Sequence, residues 1–315
     1  MSALSVRGQL LTSTLLAASW LFSIRASGGE ITDQLGRKVK VSEQPQRIVT
    51  LAPSLAELAA DFLGADLKRL VGVSEYSDVP PALKKVASVG PFHQVNFEKI
   101  LALKPDLVLA TADGNSRDQI EHLAEAGIAV VVTSSRSLDE VSESMKLTGA
   151  SLGDATAGRE MSEQFMRGLA RIRDRAKART LAPRVLIQVG DDPLVVAGAR
   201  SFISQAVESV GARNLYADSD LTYPRPSLED VLHRNPDSIL ILTMGTEETP
   251  YRKSAARWAT YGKVNAVREG KVKVIKGDTI VRPTLRLIEG MALLEKAIFG
   301  DKQATQAFRD ERKVR

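Results

Sequence analysis

The chain has 315 residues, 43% apolar and 26% charged, with a formal net charge of +5, the profile of an ordinary globular protein large enough for two cored lobes. Its basic residues are spread along the chain rather than gathered in runs interleaved with aromatics, which argues against nucleic acid as a partner. Cysteine is absent, which excludes disulfides, thiolate metal sites, Cys nucleophiles and a lipid-modified N-terminal Cys.

Residues 1–26 read as a secretory signal peptide. Arg7 precedes the apolar run Leu10–Ile24, and the small residues Ala26, Ser27, Gly28 and Gly29 follow. The run is shorter than the roughly 20 apolar residues of a membrane span, and an uncleaved anchor is the alternative for the same segment. Removal of the leader implies a mature protein free in the periplasm. Beyond it, ITDQLGRKVKV predicts a hairpin turning at Gly36. Arg47–Ala52 predicts a short buried strand. The helix after Pro53-Ser54 places Leu55, Leu58, Ala59 and Phe62 on one face, with Gly64 at its stop. A strand from Leu70 and a turn-rich loop from Tyr76 to Pro81 follow. A helix over 117–128 and a strand over 129–133 complete an alternation of strand and helix that predicts a parallel sheet.

Two stretches nearly repeat one another, Asn96–Leu109 and Ser227–Leu240, offset by 131 residues. Each has an N-cap residue two before a Glu (Glu98, Glu229), a short apolar-periodic helix, Pro-Asp, and an apolar strand. A duplicated helix–turn–strand unit implies two similar lobes, each presenting a carboxylate at a matching place. Between the lobes, residues 155–180 carry charge throughout, with apolar Met161, Phe165, Leu169 and Ile172 at helical spacing. The expected architecture is α/β: an N-terminal lobe over 30–152, a long rigid inter-lobe helix over 153–182, and a C-terminal lobe over 183–315, both lobes with parallel-sheet cores. A linker poor in Gly, Ser and Pro makes small motions, rather than wide hinge closure, the expectation.

No nucleophile elbow, phosphate loop, zinc-protease helix or dinucleotide fingerprint occurs. His93, His122 and His233 stand at no metal-ligand spacing, and His122 and His233 fall within expected helices. A binding protein is expected, not an enzyme. Loops after strands, at 75–81, 90–95, 111–115, 190–198, 222–226, 244–249 and 278–283, supply Tyr76, Phe92, Tyr223, Asp278 and Arg282 to a cleft between lobes. Three aromatics there suit a planar ligand. Glu98 and Glu229 each sit in a first helical turn, where an acid also favours the positive helix end.

These features resemble the periplasmic binding proteins of ABC importers for cobalamin, haem and ferric siderophores. The segment 71–81 (VGVSEYSDVPP), the segment 95–108 around Leu-Lys-Pro-Asp, and Gly114-Asn115 look most like the cobalamin-binding member. The resemblance implies that Glu98 and Glu229 meet arginines of a permease dimer, which works with its ATPase subunits. It makes Tyr76, Phe92 and Tyr223 walls of a corrinoid pocket, and Asp278 and Arg282 polar contacts. Phe92, Thr111 and Tyr223 stand where Trp is expected, and Val189 where Phe is expected, implying a less aromatic pocket. Haem or a ferric siderophore is the alternative cargo, for which His93 or Tyr76 would have to reach iron. The expected protein is monomeric, needs no resident cofactor and carries cobalamin as transported ligand.

Overall fold

The computed structural model describes residues 29–243 and 249–300. The leader expected at 1–26, most of the loop expected at 244–249, and the last residues of the expected second lobe lie outside them. A hairpin of β1 (Gly29–Thr32) and β2 (Lys38–Val41) pairs antiparallel as expected, with Gly36 at φ +77° in its turn. Buried Asp33 organises it, accepting the Leu35 and Arg37 amides and, from the sheet of the first lobe, the Val132 amide at 3.2 Å.

The first lobe contains β3 (Ile48–Thr50), α1 (Pro53–Leu63), β4 (Leu70–Val73), β5 (Ala87–Ser88), α2 (Phe97–Ala102), β6 (Leu107–Thr111), α3 (Arg117–Glu125) and β7 (Ala129–Thr133). Its sheet runs β5-β4-β3-β6-β7, every pair parallel. Strands such as β6 and β3 are buried on both faces, which explains their uninterrupted apolar composition. Two helices follow, α4 (Leu138–Ser151) and α5 (Ala155–Ala176). The second lobe contains β8 (Arg184–Gly190), β9 (Val195–Val196), α6 (Phe202–Ser209), β10 (Arg213–Asn214), α7 (Leu228–Arg234), β11 (Ser238–Thr243), α8 (Thr249–Ala259), α9 (Asn265–Arg268), β12 (Val272–Lys276), α10 (Asp278–Val281) and α11 (Leu287–Phe299). Its parallel order β10-β8-β11-β12 repeats the plan of the first lobe, with β9 added antiparallel to β8. The loops expected at 190–198 and 278–283 thus contain a short strand and a helical turn. Pairing of Val196 and Val195 with Gln188 and Gly190 of β8, and the i to i−4 bond from Val281 to Gly277, account for both.

The 22-residue α5 is about 33 Å long and joins the lobes as expected. Phe165, Leu169 and Ile172 are buried along it, with Met161 partly so. It is no bare strut, because it packs along α4 and also meets α6 and α11. α4 and α5 cross closely: Ser142 Oγ and Ser162 Oγ are 2.7 Å apart, and a Cβ on Gly149 would lie 2.6 Å from Gly158 Cα. One apolar cluster takes Leu58 from α1, Leu138, Val141 and Met145 from α4, and residues of β8, α6, β11 and α11. The lobes therefore share a core. No helix among the described residues is long and apolar enough to cross a membrane.

Candidate functional site

The duplicated units match in detail. Asn96 Oδ1 caps α2 by accepting the Lys99 amide at 2.9 Å, and Ser227 Oγ caps α7 by accepting the Asp230 amide at 3.1 Å. Both helices end in a left-handed residue before Pro, Lys104 at φ +47° and Asn235 at φ +49°. Glu98 and Glu229 sit in the first turns of these helices and are exposed. Neither carboxylate has a hydrogen-bond or ion-pair partner among the described residues. Two free acids thus stand at equivalent positions of two equivalent lobes.

The remaining candidates sit on loops at the carboxyl ends of the parallel strands, where open α/β sheets place ligands. Tyr76, in the loop after β4, has φ +64° and a side chain open to solvent, the residue being 75% exposed. Phe92 is 37% exposed and meets His93 edge to face, ring centroids 5.9 Å apart. His93 is itself exposed. The Phe92 loop is pinned by Asn115, whose Nδ2 donates to the Phe92 carbonyl (2.6 Å) and the Leu51 carbonyl (3.1 Å), while its Oδ1 accepts the amide of buried Thr111 (2.8 Å). The Phe92 ring lies over Gly114, where a Cβ would come within 1.9 Å of Cε2. Only glycine leaves room for it.

Asp113, adjacent to Gly114, is oriented by the amide and hydroxyl of Ser135 (2.6 and 3.0 Å) and by Arg136 Nε (3.0 Å). Tyr223, from the second lobe, faces it. Tyr223 is 41% exposed. Partial burial, with the neighbouring Asp113 carboxylate, pushes the phenol up to about 12, so it stays neutral. Val189, at the end of β8, is half-buried against the core shared by the lobes.

Asp278 and Arg282 belong to a charged cluster that crosses between the lobes. Arg282, only 8% exposed, places Nη2 3.0 Å from the Tyr76 carbonyl and 2.9 Å from Asp78 Oδ1. Asp278 Oδ1 is 3.9 Å from the same nitrogen. Glu57 of α1 is 1% exposed; it accepts from Thr284 Oγ1 (2.7 Å) and Arg286 Nη1 (3.3 Å) and lies 3.6 Å from Arg282 Nη1. A buried carboxylate is tolerable only with such partners. Partial burial, then the neighbouring Glu57, push Asp61 up to about 6 against the pull of Arg286, in a residue that is exposed as a whole. Among the described residues no three carboxylate or imidazole groups converge as a metal site.

The sequence reading missed Glu57, Asp78 and Asp113, and the reason Gly114 is glycine. A signal for Glu57 was present: it is a charged residue between Ala56 and Leu58, and with Asp61 one of two acids on a largely apolar helix. Asp78 and Asp113 gave none, being ordinary loop acids until the lobes meet.

This architecture matches a known one. A model of the periplasmic binding protein family aligns with residues 48–279. The chain belongs to that family. Over 198 residues, this periplasmic binding protein is 34% identical to the vitamin B12-binding protein of Pectobacterium carotovorum, an alignment covering 62% of this chain and 71% of the relative. The crystal structure of the periplasmic vitamin B12-binding protein of Vibrio cholerae superposes with a TM-score of 0.70 at 28% identity, covering 83% of this chain and 98% of that one. A periplasmic haem-binding protein from Pseudomonas aeruginosa gives a TM-score of 0.70 at 29% identity, over 81% of this chain and 93% of its own. The two-lobe α/β fold with parallel-sheet cores is thus the family fold, and the family's business is binding a solute.

Proposed function

We propose that this chain is a periplasmic substrate-binding protein that delivers cobalamin, or a close corrinoid, to an inner-membrane ABC importer. One observation carries the reading: across the two lobes, Tyr223 comes up against Asp113, next to the Gly114 that seats the Phe92 ring, and Arg282 holds the Tyr76 carbonyl. Aromatic and apolar walls with a few fixed polar groups suit a broad, flat macrocycle with amide-bearing edges. The neutral Tyr223 phenol serves such a ligand as wall and hydrogen-bond donor. The corrinoid is cargo, and no resident cofactor takes part. Glu98 and Glu229 supply matched acids for arginines on a two-fold permease dimer, with its ATPase subunits beneath. Export with removal of residues 1–26 belongs to the same reading, and N-terminal sequencing of periplasmic protein tests it.

Isothermal titration of the purified mature protein with cyanocobalamin is expected to give saturable one-to-one heat. Silence at on the order of tens of micromolar, a Kd weaker than typical specific binding, ends the cobalamin reading. A second reading, haem as cargo, draws on the exposed phenol of Tyr76, an oxygen ligand for ferric iron, with His93 nearby in the adjoining loop. A Soret band that shifts on adding haem, and is lost in Tyr76→Phe, would favour it.

A further inference from the structure

Arg282 follows α10 in the second lobe, yet most of what its guanidinium touches belongs to the first. Nη2 donates to the Tyr76 carbonyl and to Asp78. Nη1 faces Glu57 at 3.6 Å and is buried without a hydrogen bond. Thr284 and Arg286, from the same short segment, also reach Glu57. Residues 282–286 therefore grip two elements of the first lobe, α1 through Glu57 and the 75–81 loop through Tyr76 and Asp78.

We infer that Arg282 is a positioning residue: it tethers the Tyr76 peptide across the lobes and so sets how the Tyr76 ring is presented to ligand. Five N–H donors make up a guanidinium. Both on Nη2 have protein partners, and Nη1 is sealed beside Glu57, so little of the group is left to meet a ligand. Tyr76 has the left-handed backbone that non-glycine residues adopt only under restraint. Its ring is open to solvent, so the restraint comes through the main chain, and the Arg282 bond to its carbonyl supplies it. A second-lobe side chain thereby fixes a first-lobe aromatic, and the shape of the site depends on the spacing of the lobes. This departs from the role of direct ligand contact that the family resemblance gives Arg282.

The inference rests on the cobalamin reading only for its choice of probe, so the first measurement uses no ligand. In hydrogen exchange of the ligand-free protein, Arg282→Met is expected to speed the amides of residues 74–78 by about tenfold or more while leaving β6 and β11 unchanged. Unchanged exchange in that loop overturns the tether. Should Arg282→Met fail to fold, Arg282→Met with Glu57→Gln, which also removes the buried charge left behind, takes its place, and the same loop must exchange faster; if it does not, the inference falls. The second measurement is a cycle of cyanocobalamin affinities. Arg282→Met and Tyr76→Ala are each expected to lose about tenfold, and the double variant about tenfold as well, because one residue acts through the other. A loss of about a hundredfold in the double variant marks independent contacts and overturns the inference. Wild-type protein that ignores cyanocobalamin retires the cobalamin reading and leaves the exchange result to decide this one.

Discussion

Asp106 and Asp237 hold the same post in the two lobes. Each carboxylate accepts the main-chain N–H of an arginine at the start of the adjacent strand, Arg47 and Arg184, both at 2.9 Å. Each Asp amide in turn donates to that arginine's carbonyl, at 3.0 and 2.9 Å. The arginine side chains then cover carbonyls at the ends of α2 and α7: Arg47 Nε donates to Leu103, and Arg184 donates to Arg234 and Asn235. The Pro-Asp repeated in the sequence is thus the latch that sets strand register in both lobes. Asp106→Ala and Asp237→Ala are each expected to lower stability by about 1–2 kcal/mol, the worth of one or two charge-assisted bonds. Because the sites are far apart the losses add, and urea midpoints of both singles and the double check this.

Replacing Glu98 and Glu229 together with Ala is expected to abolish stimulation of the importer's ATPase while ligand affinity stays within about twofold, since exposed rim charges govern partner choice more than a distant pocket. Each substitution removes only about 0.3–1 kcal/mol of helix-dipole stabilisation, so the melting curve should barely move. Transport assays in reconstituted vesicles decide. Normal transport by the double variant would remove the docking role.

Gly114→Ala puts a methyl group where the Phe92 ring lies. The clash is with the free end of a side chain rather than with backbone, so the ring swings away at little cost in stability. Ligand affinity is expected to fall as far as in Phe92→Ala, about tenfold for loss of one buried aromatic contact, with the melting temperature unchanged. Titration calorimetry beside a thermal melt separates the two effects.

Asp61 gives a pH signature. Its folded-state value of about 6 lies above the ordinary 3.8. Between those values the folded protein therefore binds more protons than the unfolded chain, and stability falls as pH rises through that window. Asp61→Asn removes the contribution. The variant is expected to melt above wild type at about pH 7.5 and to lose that advantage below about pH 4, as read from melting temperature against pH. A constant difference at all pH values would count against the assignment.

What could be read from the sequence was local. The duplicated units announce themselves because caps, a Pro-Asp stop and an apolar strand lie within fourteen residues of one another, and the structure uses each as written. α4 escaped because its buried side includes Ser142, Ser144, Thr148, Gly149 and Ser151. Leu138, Val141 and Met145 do stand at helical spacing, but the small polar residues that close approach to α5 requires leave that apolar stripe narrow. The cross-lobe cluster was equally hidden. Glu57 and Thr284 are 227 residues apart, and a pairing over that distance leaves no pattern along the chain. For the same reason Arg282 looked like a group awaiting ligand when most of its partners were already in the protein.

The apolar cluster that draws on both lobes bears on modularity. A chain cut at the start of β8 would leave Leu138, Val141 and Met145 uncovered on one fragment and the facing α6 and α11 residues uncovered on the other. Neither half should persist alone, although each repeats the other's plan. Chimeras with relatives should tolerate exchange of surface loops far better than exchange of whole lobes. Internal symmetry here records a shared design, while cohesion belongs to the pair.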